Sequence, residues 1–292
     1  MKHVLLLTNL AKDTDGRLTQ RVIDLLASHG TAVHMDPRVA DLLPAHASVI
    51  PDYGTAVDKM ACILVIGGDG SVLDAAEHAI RLDAPMLGIN LGRLGYLSEV
   101  EPDHLELLER LYTGEYTFGQ RMTLGITHTD AEGNTLPIRR VALNEVTVTH
   151  NSFFGIAEMT LIDPSGEKIA YRSDGLILAT PSGSTAYSLS AGGPIVDCGV
   201  PCICVTPICP HTLFRQSVIF PASSALQIKN TGDRRNTLYV CLDGRSVTTL
   251  APGESITVSA SSHPINMITL GTHSAFSTLK RKLERLEMGD TV

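Results

Sequence analysis

The chain of 292 residues carries 31 acidic and 23 basic side chains, which gives a net charge of −8 at pH 7. This balance argues against a general surface for nucleic acids or anionic membranes. A hydrophobic content of 43% excludes a disordered chain, and no apolar run reaches the roughly 18 residues of a membrane span. We therefore expect a globular protein of about two domains that binds neither nucleic acid nor membrane.

Strand and helix patterns alternate over the first part of the chain. Val4–Leu7 is a short apolar run without a small-residue cleavage pattern, which indicates a first strand rather than a signal peptide and favours a cytoplasmic location. Further strand patterns follow at Thr31–Met35, Ile63–Ile66 and Met86–Ile89, with helical spacing between them. This order predicts an α/β, Rossmann-like domain with a mostly parallel sheet over residues 1–120.

A glycine-rich loop separates the third of these strands from a helical pattern. Its glycines, Gly67, Gly68 and Gly70, allow the backbone to turn tightly and approach a ligand. Exposed N–H groups at the start of a helix favour phosphate. Asp69 would repel phosphate unless it binds a sugar hydroxyl, takes up a proton or holds a bridging metal ion. An ordinary strand–turn–helix corner, capped by this aspartate, is the alternative at this point.

Short strand patterns separated by turns replace the helical ones from about residue 121. The clearest candidates are Arg140–Val148, Ile156–Ile162, Leu176–Ala179, Ile203–Thr206, Leu238–Leu242 and Ser255–Ser259. This texture predicts an all-β, sandwich-like domain over residues 121–270, and a charged helical pattern ends the chain over 271–292. The cysteines between Cys198 and Cys209 contain no CxxC pair, so we expect no metal site there.

Two polar stretches stand out in the β-rich region. Asn144-Glu145 lies inside a predicted strand, which would point the two side chains to opposite faces if it were regular. The second stretch, Thr180–Pro194, is rich in Gly, Ser and Thr and offers hydroxyl and backbone groups to a polar ligand. We expect it to form a structured loop that leads into a buried helix.

Taken together, these motifs resemble the NAD kinase family. The resemblance rests on GGDG at 67–70, Asn144-Glu145, Ser173-Asp174-Gly175 and TPSGSTAYSLSAGGP at 180–194, and it continues through Gly88–Leu97, Pro210–Leu213 and Asp243-Gly244. GGDG alone is shared with diacylglycerol kinases, sphingosine kinases and phosphofructokinases. The long Ser/Thr/Gly segment is more specific and decides between them.

The resemblance implies an enzyme that phosphorylates the 2′-hydroxyl of the adenosine ribose of NAD. ATP or polyphosphate would be the donor, with a divalent metal ion, Mg²⁺, as cofactor. It also implies a homodimer or homotetramer, and a tail over 271–292 that packs on the first domain. The alternatives are a lipid kinase of the diacylglycerol or sphingosine type and a non-catalytic dinucleotide-binding sensor. The acidic chain and polar loop argue against the first, and the presence of Asp69 argues against the second.

We expect Asp69 to be the general base, with the glycines around it left to the phosphates. By resemblance, Asn144 and Glu145 bind the adenosine half of NAD. Further residues that line the dinucleotide pocket on the same comparison are Asp174, Ser182, Thr185, Ala186 and Tyr187. An aspartate and a serine can hydrogen-bond a carboxamide or an adenine amine, and a tyrosine can stack on a base.

Three charged residues have two readings each. Arg93 and Arg172 are the nearest candidates for meeting phosphate charge, although a solvated surface arginine is an equal reading of each. Asp243 belongs to the binding residues on the resemblance, but Asp-Gly is also a strong hairpin-turn signal.

Overall fold

The structure is a computed structural model that describes residues 1–51, 60–91, 95–150, 155–212, 214–233, 236–271 and residue 280. The chain divides into two compact units, Met1–Gln120 with Ile265–Val292, and Arg121–Pro264. It therefore returns to the first unit earlier than the boundary expected at residue 271. Arg93 and nearly all of the predicted C-terminal tail lie outside the described residues.

The elements are numbered in chain order. Those of the N-terminal stretch are β1 (His3–Thr8), α1 (Arg17–Ser28), β2 (Ala32–His34), α2 (Pro37–Ala40), β3 (Val49–Ile50), β4 (Cys62–Gly67), α3 (Asp69–Leu82), β5 (Met86–Asn90), β6 (Ser98–Val100), a 3₁₀ helix (Leu105–Glu109), α4 (Arg110–Thr113) and β7 (Thr117–Arg121). Those that follow are β8 (Leu124–Thr129), β9 (Thr135–Ala142), β10 (Glu145–His150), β11 (Ala157–Ile162), β12 (Lys168–Ser173), β13 (Gly175–Ala179), a 3₁₀ helix (Gly183–Thr185), α5 (Tyr187–Ser190), β14 (Cys202–Ile208), β15 (Val218–Pro221), β16 (Leu226–Asn230), β17 (Leu238–Leu242), β18 (Arg245–Leu250), β19 (Ser255–Ala260) and β20 (Ile265–Thr269).

The described part of the first unit is built on a sheet in the order β3-β2-β1-β4-β5-β20-β7, with β6 also paired to β5. The pairs β1–β2, β1–β4 and β4–β5 are parallel. Every residue of β4 and β5 is buried, as expected for central strands covered on both faces. The GGDG loop follows β4 directly and so lies at the carboxyl end of the sheet, where ligands of α/β proteins bind. The predicted α/β first domain is confirmed.

The second unit is a β-sandwich. Within the described residues its sheets run β15-β14-β13-β10-β17-β18 and β12-β11-β16-β19-β8-β9, and the recorded strand pairs are antiparallel. Alternate residues of β10, such as Val146 and Val148, share one core with Met159 and Ile256 of the other sheet. This alternation is what a half-buried antiparallel strand requires, and the predicted β-rich domain is confirmed.

The prediction of one strand over Arg140–Val148 is wrong. The structure has two strands there, β9 and β10, and they belong to different sheets: β9 pairs with β8, whereas β10 pairs with β13 and β17. Leu143 and Asn144 form the corner at which the chain changes sheets. The expectation that Asn144 and Glu145 lie on opposite faces of a regular strand therefore does not apply.

Helix α1 begins without a capping side chain on its N-cap residue, Gly16. Instead, the buried carboxylate of Asp13 accepts hydrogen bonds from the backbone N–H groups of Leu18 and Thr19 at 3.3 and 2.9 Å, and from the Thr19 hydroxyl at 2.6 Å. This carboxylate satisfies N–H groups of the first helical turn, which have no partner within the helix.

We expect Asp13→Ala to lower the free energy of unfolding by about 2 kcal/mol, because it leaves buried donors without an acceptor. Urea denaturation measures the change. Asp15→Ala is the matched control. Among the described residues the exposed side chain of Asp15 bonds Arg17 alone, at 3.2 Å to the backbone and 3.0 Å to the guanidinium, so about 0.5 kcal/mol or less is expected. Equal losses in the two variants would contradict the role given to Asp13.

Candidate functional site

One candidate site, in the first unit, is the GGDG loop. Gly68 precedes α3 and Asp69 is its first residue. The Asp69 carboxylate accepts the backbone N–H groups of Tyr96 and Leu97, at 2.9 and 3.0 Å, one on each oxygen. These bonds fix the direction of the carboxylate and leave each oxygen a further lone pair for a substrate hydroxyl.

Gly95 makes this arrangement possible, and sequence reasoning did not single it out as a site residue. A Cβ atom at Gly95 would lie 2.2 Å from Oδ1 of Asp69, far inside van der Waals contact. The backbone of residues 95–97 can therefore approach the carboxylate only because residue 95 has no side chain. The sequence shows only a glycine before Tyr96 and Leu97, whose N–H groups bind Asp69. No local periodicity marks this glycine as a residue of the site.

The loop after β1 supports the GGDG loop from the side. Asn9 donates its backbone N–H to the carbonyl of Ile66 at 2.9 Å and its side-chain amide to the Ser71 hydroxyl at 3.1 Å. A Cβ at Gly68 would lie 2.8 Å from Nζ of Lys12, so this ammonium is placed directly over the glycine. Sequence reasoning also missed Lys12, which brings positive charge to a loop suited to phosphate.

A cavity of about 380 Å³ opens beside this loop. Its polar lining comes from Thr8, Asn9, Ser71, Asp74, His78 and Arg38. The cavity therefore combines hydroxyl, amide and charged groups at the carboxyl end of β1, next to the start of α3.

Another candidate site, in the second unit, is the corner at Asn144-Glu145. The Asp243 carboxylate accepts three successive backbone N–H groups there: Leu143 at 2.7 Å, Asn144 at 2.8 Å and Glu145 at 3.1 Å. In return, the N–H of Asp243 donates to the carbonyl of Glu145 at 3.0 Å. These bonds explain why the chain leaves strand geometry here, since a regular strand points successive N–H groups in opposite directions.

The Ser/Thr/Gly segment packs against the same corner. Thr180 donates its N–H to the Asn144 carbonyl at 2.8 Å and its hydroxyl to the Leu143 carbonyl at 2.7 Å. A Cβ at Gly183 would lie 2.1 Å from the Asn144 carbonyl oxygen. The segment forms a 3₁₀ turn and the four-residue helix α5. The expected loop leading into a helix is present, but the expectation that the helix is buried is wrong: Ser188 is the one buried residue of α5, and Tyr187 is 42% exposed.

The side chains of Asn144 and Glu145 are 7% and 8% exposed. Oδ1 of Asn144 and Oε2 of Glu145 are fully buried and have no hydrogen-bond partner among the described residues. Burial, and secondarily the Asp243 charge, raises the pKa of Glu145 to about 7. Since buried polar atoms are normally hydrogen-bonded, these two point to a polar ligand.

Tyr187, at the start of α5, borders this corner. Its ring is 42% exposed, and its pKa is raised by burial first and then by the charges of Cys209, Asp174 and Glu145. The charges of the predicted residues Asp174 and Glu145 thus act on Tyr187. Ser182 is buried beside Cys198, with 3.8 Å between Oγ and Sγ, and its carbonyl accepts the Thr185 hydroxyl at 3.2 Å, one residue before Ala186.

Two protein-family models match this chain, the ATP-NAD kinase N-terminal domain over residues 4–116 and the ATP-NAD kinase C-terminal domain over residues 143–270. The NAD kinase of Natranaerobius thermophilus is 34% identical over 285 residues, which cover 97% of this chain and 98% of that protein. The NAD kinase of Lachnoclostridium phytofermentans is 33% identical over 288 residues, covering 97% and 99%.

The chain belongs to the NAD kinase family. It is a kinase that acts on NAD, and the lipid kinase and sensor alternatives find no support in these matches.

Solved structures of NAD kinases share the fold. Yeast NADH kinase complexed with NADH superimposes with a TM-score of 0.82 at 24% identity, over 100% of this chain and 89% of that one. An NAD kinase from Archaeoglobus fulgidus in complex with ATP gives 0.70 at 22% identity, over 97% and 98%.

Two of the predicted site residues are paired with other side chains: Asp174, whose Oδ1 lies 3.8 Å from Nε2 of His150, and Arg172. The side chain of Arg172 is exposed, and its Nε lies 3.0 Å from Oε1 of Glu158, the residue opposite it on β11. A phosphate would have to compete with this carboxylate. Arg93 lies outside the described residues.

Cys202 and Cys204, part of the cysteine-rich stretch, are buried in β14 in an apolar cluster with Ile177 and Ala179. Burial raises the pKa of the Cys204 thiol to about 12. These two cysteines serve as small core residues behind the site.

The variant Glu145→Gln measures how the ionisation of the buried Glu145 carboxyl affects the free energy of unfolding. The unfolded chain ionises Glu145 near pH 4.5, whereas the folded protein keeps it protonated up to about pH 7. The contribution of Glu145 to stability is therefore full below pH 4.5 and falls as the pH rises to 7. The stability of the wild type minus that of Glu145→Gln should fall by up to about 3 kcal/mol over this range and then level off.

Urea denaturation at half-unit pH steps, without nucleotide, measures this difference. Groups that titrate in both proteins cancel from it. A difference that is flat between pH 4.5 and 7 would show that Glu145 ionises normally.

Proposed function

We propose that the protein transfers the terminal phosphoryl group of ATP to the 2′-hydroxyl of the adenosine ribose of NAD. Membership of the NAD kinase family supports the reaction class. The observation that carries the assignment of roles is the Asp69 carboxylate, which two backbone N–H groups hold at the start of α3.

Asp69 is the general base in this proposal. Its carboxylate accepts the 2′-hydroxyl and takes its proton as the oxygen bonds to phosphorus and the bond to the leaving ADP breaks. Phosphoryl transfer depends mainly on positioning and charge neutralisation, so one oriented carboxylate, a metal ion and the loop amides form the minimum set. Gly67, Gly68 and Gly70 give phosphates access to the backbone, and Lys12 supplies positive charge beside them.

Asn144, Glu145, Asp174 and Tyr187 take the adenosine half of NAD, with Ser182, Thr185 and Ala186 as further lining. Tyr187 offers an exposed ring for stacking on a base. The unpartnered oxygens of Asn144 and Glu145 accept ligand hydroxyl or amine groups. Arg172 and Arg93 remain candidates for phosphate, the first in competition with Glu158.

Mg²⁺ fits this site as an ion that arrives with ATP. No group of three or more His, Cys, Asp or Glu side chains that could hold a metal occurs among the described residues. Mg²⁺ typically keeps several waters and uses one or two carboxylates plus substrate phosphates, so Asp69 with the ATP phosphates forms an adequate donor set. Such an ion neutralises charge on the transferred phosphoryl group.

A cytoplasmic location and a homodimer or homotetramer complete the proposal. All six cysteines are free thiols, which fits a reducing compartment. No helix in the described part of the chain is long and apolar enough to cross a membrane. Ile195, Val200 and Ile219 expose about half of their apolar surface, which suits contact between subunits.

The activity is tested with purified protein, NAD, Mg²⁺ and either ATP or polyphosphate, and NADP is the product measured. We expect Asp69→Asn to lower kcat by about 10²–10⁴-fold, because it removes the base and turns an NH₂ group toward one of the two backbone N–H groups that orient the side chain. Near-wild-type turnover in this variant would exclude Asp69 as the base. Tight NAD binding by the wild type without NADP formation would instead support a sensor.

Gly95→Ala tests the same carboxylate without changing it. The added Cβ must displace Oδ1 of Asp69, so kcat should fall by about 10²-fold. Gly119→Ala is the control in the same unit, since the nearest atom to its Cβ would be 3.6 Å away. If Gly95→Ala behaves like the control, the position of the Asp69 carboxylate is not critical.

A further inference from the structure

We propose that Asp243 is a positioning residue that holds Asn144 and Glu145 in the geometry that receives NAD, rather than a residue that touches NAD itself. The proposal rests on the proposed NAD-binding role of these two residues. It changes the role that the sequence suggested for Asp243, which was either a ligand contact or an ordinary turn residue.

The turn alone does not account for an aspartate at this position. Asp243 and Gly244 form the two-residue loop between β17 and β18, and both have positive φ, 48° and 76°. This is the geometry of a type I′ hairpin, for which Asn-Gly is at least as suitable as Asp-Gly. The backbone requirement therefore permits asparagine, and the use of the carboxylate must be sought in its contacts.

Both oxygens of the Asp243 carboxylate accept hydrogen bonds. Oδ2 accepts one N–H, from Leu143, and Oδ1 accepts two, from Asn144 and Glu145. Asparagine has one oxygen and an NH₂ group, so one backbone N–H would face a donor instead of an acceptor. Three N–H groups pointing at one carboxylate also fix the corner so that the side chains of Asn144 and Glu145 follow a defined direction.

The corner is held against the rest of the second unit by bonds to its carbonyl groups. Thr180 donates to the carbonyls of both Leu143 and Asn144, and Gly183 lies directly against the latter. Asp243 thus supplies acceptors for the N–H groups, and the 180–183 turn supplies donors for the carbonyls. Removal of either Asp243 or the 180–183 turn therefore loosens the side chains of Asn144 and Glu145. Each of these side chains has a buried oxygen without a hydrogen-bond partner in the described residues, and we propose that a ligand bonds it.

Asp243 also acts on Glu145 through its charge. The charged and titratable groups that interact with this pair in the described residues are Tyr187, beside Glu145, and Arg140, beside Asp243. The carboxylate of Asp243 adds to burial in keeping Glu145 protonated. Loss of the Asp243 charge should therefore shift the ionisation of Glu145 to lower pH, an effect that a purely structural turn residue would not have.

The test compares wild type, Asp243→Asn and Asp163→Asn. Asp163 is the matched control, because this aspartate lies in the β11–β12 turn and its exposed carboxylate also accepts three bonds, two from Ser165 and one from Glu167. For Asp243→Asn we expect KM for NAD to rise about 10–100-fold, the effect of one charge-assisted hydrogen bond. KM for ATP should change less than about twofold, and Asp163→Asn should leave both unchanged.

The second readout does not need activity. The stability difference that Glu145→Gln produces between pH 4.5 and 7 should level off at a lower pH in the Asp243→Asn background than in the wild type. If Asp243→Asn does not fold, Asp243→Glu replaces it in the KM measurement, since it keeps the charge but displaces the carboxylate by one methylene. Asp243→Glu should raise KM for NAD. The pH above which the Glu145→Gln stability difference stops changing should be the same as in the wild type.

The outcomes are distinguishable. A folded Asp243→Asn protein with unchanged KM for NAD and an unchanged pH dependence would overturn the positioning role. Equal rises in the KM values for NAD and ATP would mean general damage and would overturn it as well. Absence of NADP formation by the wild type would instead refute the proposed function, and the pH measurement would still decide whether Asp243 controls Glu145.

Discussion

The Asp69 carboxylate accepts the N–H groups of Tyr96 and Leu97, and these two bonds join the GGDG loop to the segment after β5. The same device recurs at Asp13, which fixes the start of α1, and at Asp243, which fixes the Asn144-Glu145 corner. In each case a carboxylate replaces the regular partners that backbone N–H groups lack outside helices and sheets. The loops proposed to carry chemistry and recognition thereby become as well defined as the strands around them.

The loops of the first unit follow strands that are held rigidly in the sheet. β4 and β5 are buried along their whole length, so the residues that follow them start from fixed positions. Hydrogen bonds of Asn9 to Ile66 and Ser71 then tie the neighbouring β1 loop to the same place. A catalytic carboxylate must stay within a fraction of an ångström of its productive geometry, and the sheet and the backbone bonds together provide this.

Sequence periodicity predicted the strands that surround the site, because a buried parallel strand such as β4 is an unbroken apolar run. It could not predict the corner at Asn144, since the acceptor that bends the chain there is about 100 positions away, on Asp243. Gly95 lies in the segment that carries the resemblance, but it was not named as a site residue for the same reason: its role depends on a contact with Asp69 and not on a local pattern. The resemblance pointed to Asn144 and Glu145 and to the Ser/Thr/Gly segment, which pack against each other, but it gave no sign that Glu158 engages Arg172.

The chemistry of the buried pair limits what can bind there. The free Oδ1 of Asn144 only accepts hydrogen bonds, so its partner must be a donor. Burial, and then the charge of Asp243, raises the pKa of Glu145 to about 7, so both of its protonation states are accessible near neutral pH. A ligand N–H group can donate to the carboxylate or to the carbonyl oxygen of the acid, whereas a hydroxyl can also accept from the O–H of the acid. A ribose, which presents neighbouring hydroxyls, therefore suits this corner across the physiological pH range better than a purely cationic or anionic group would.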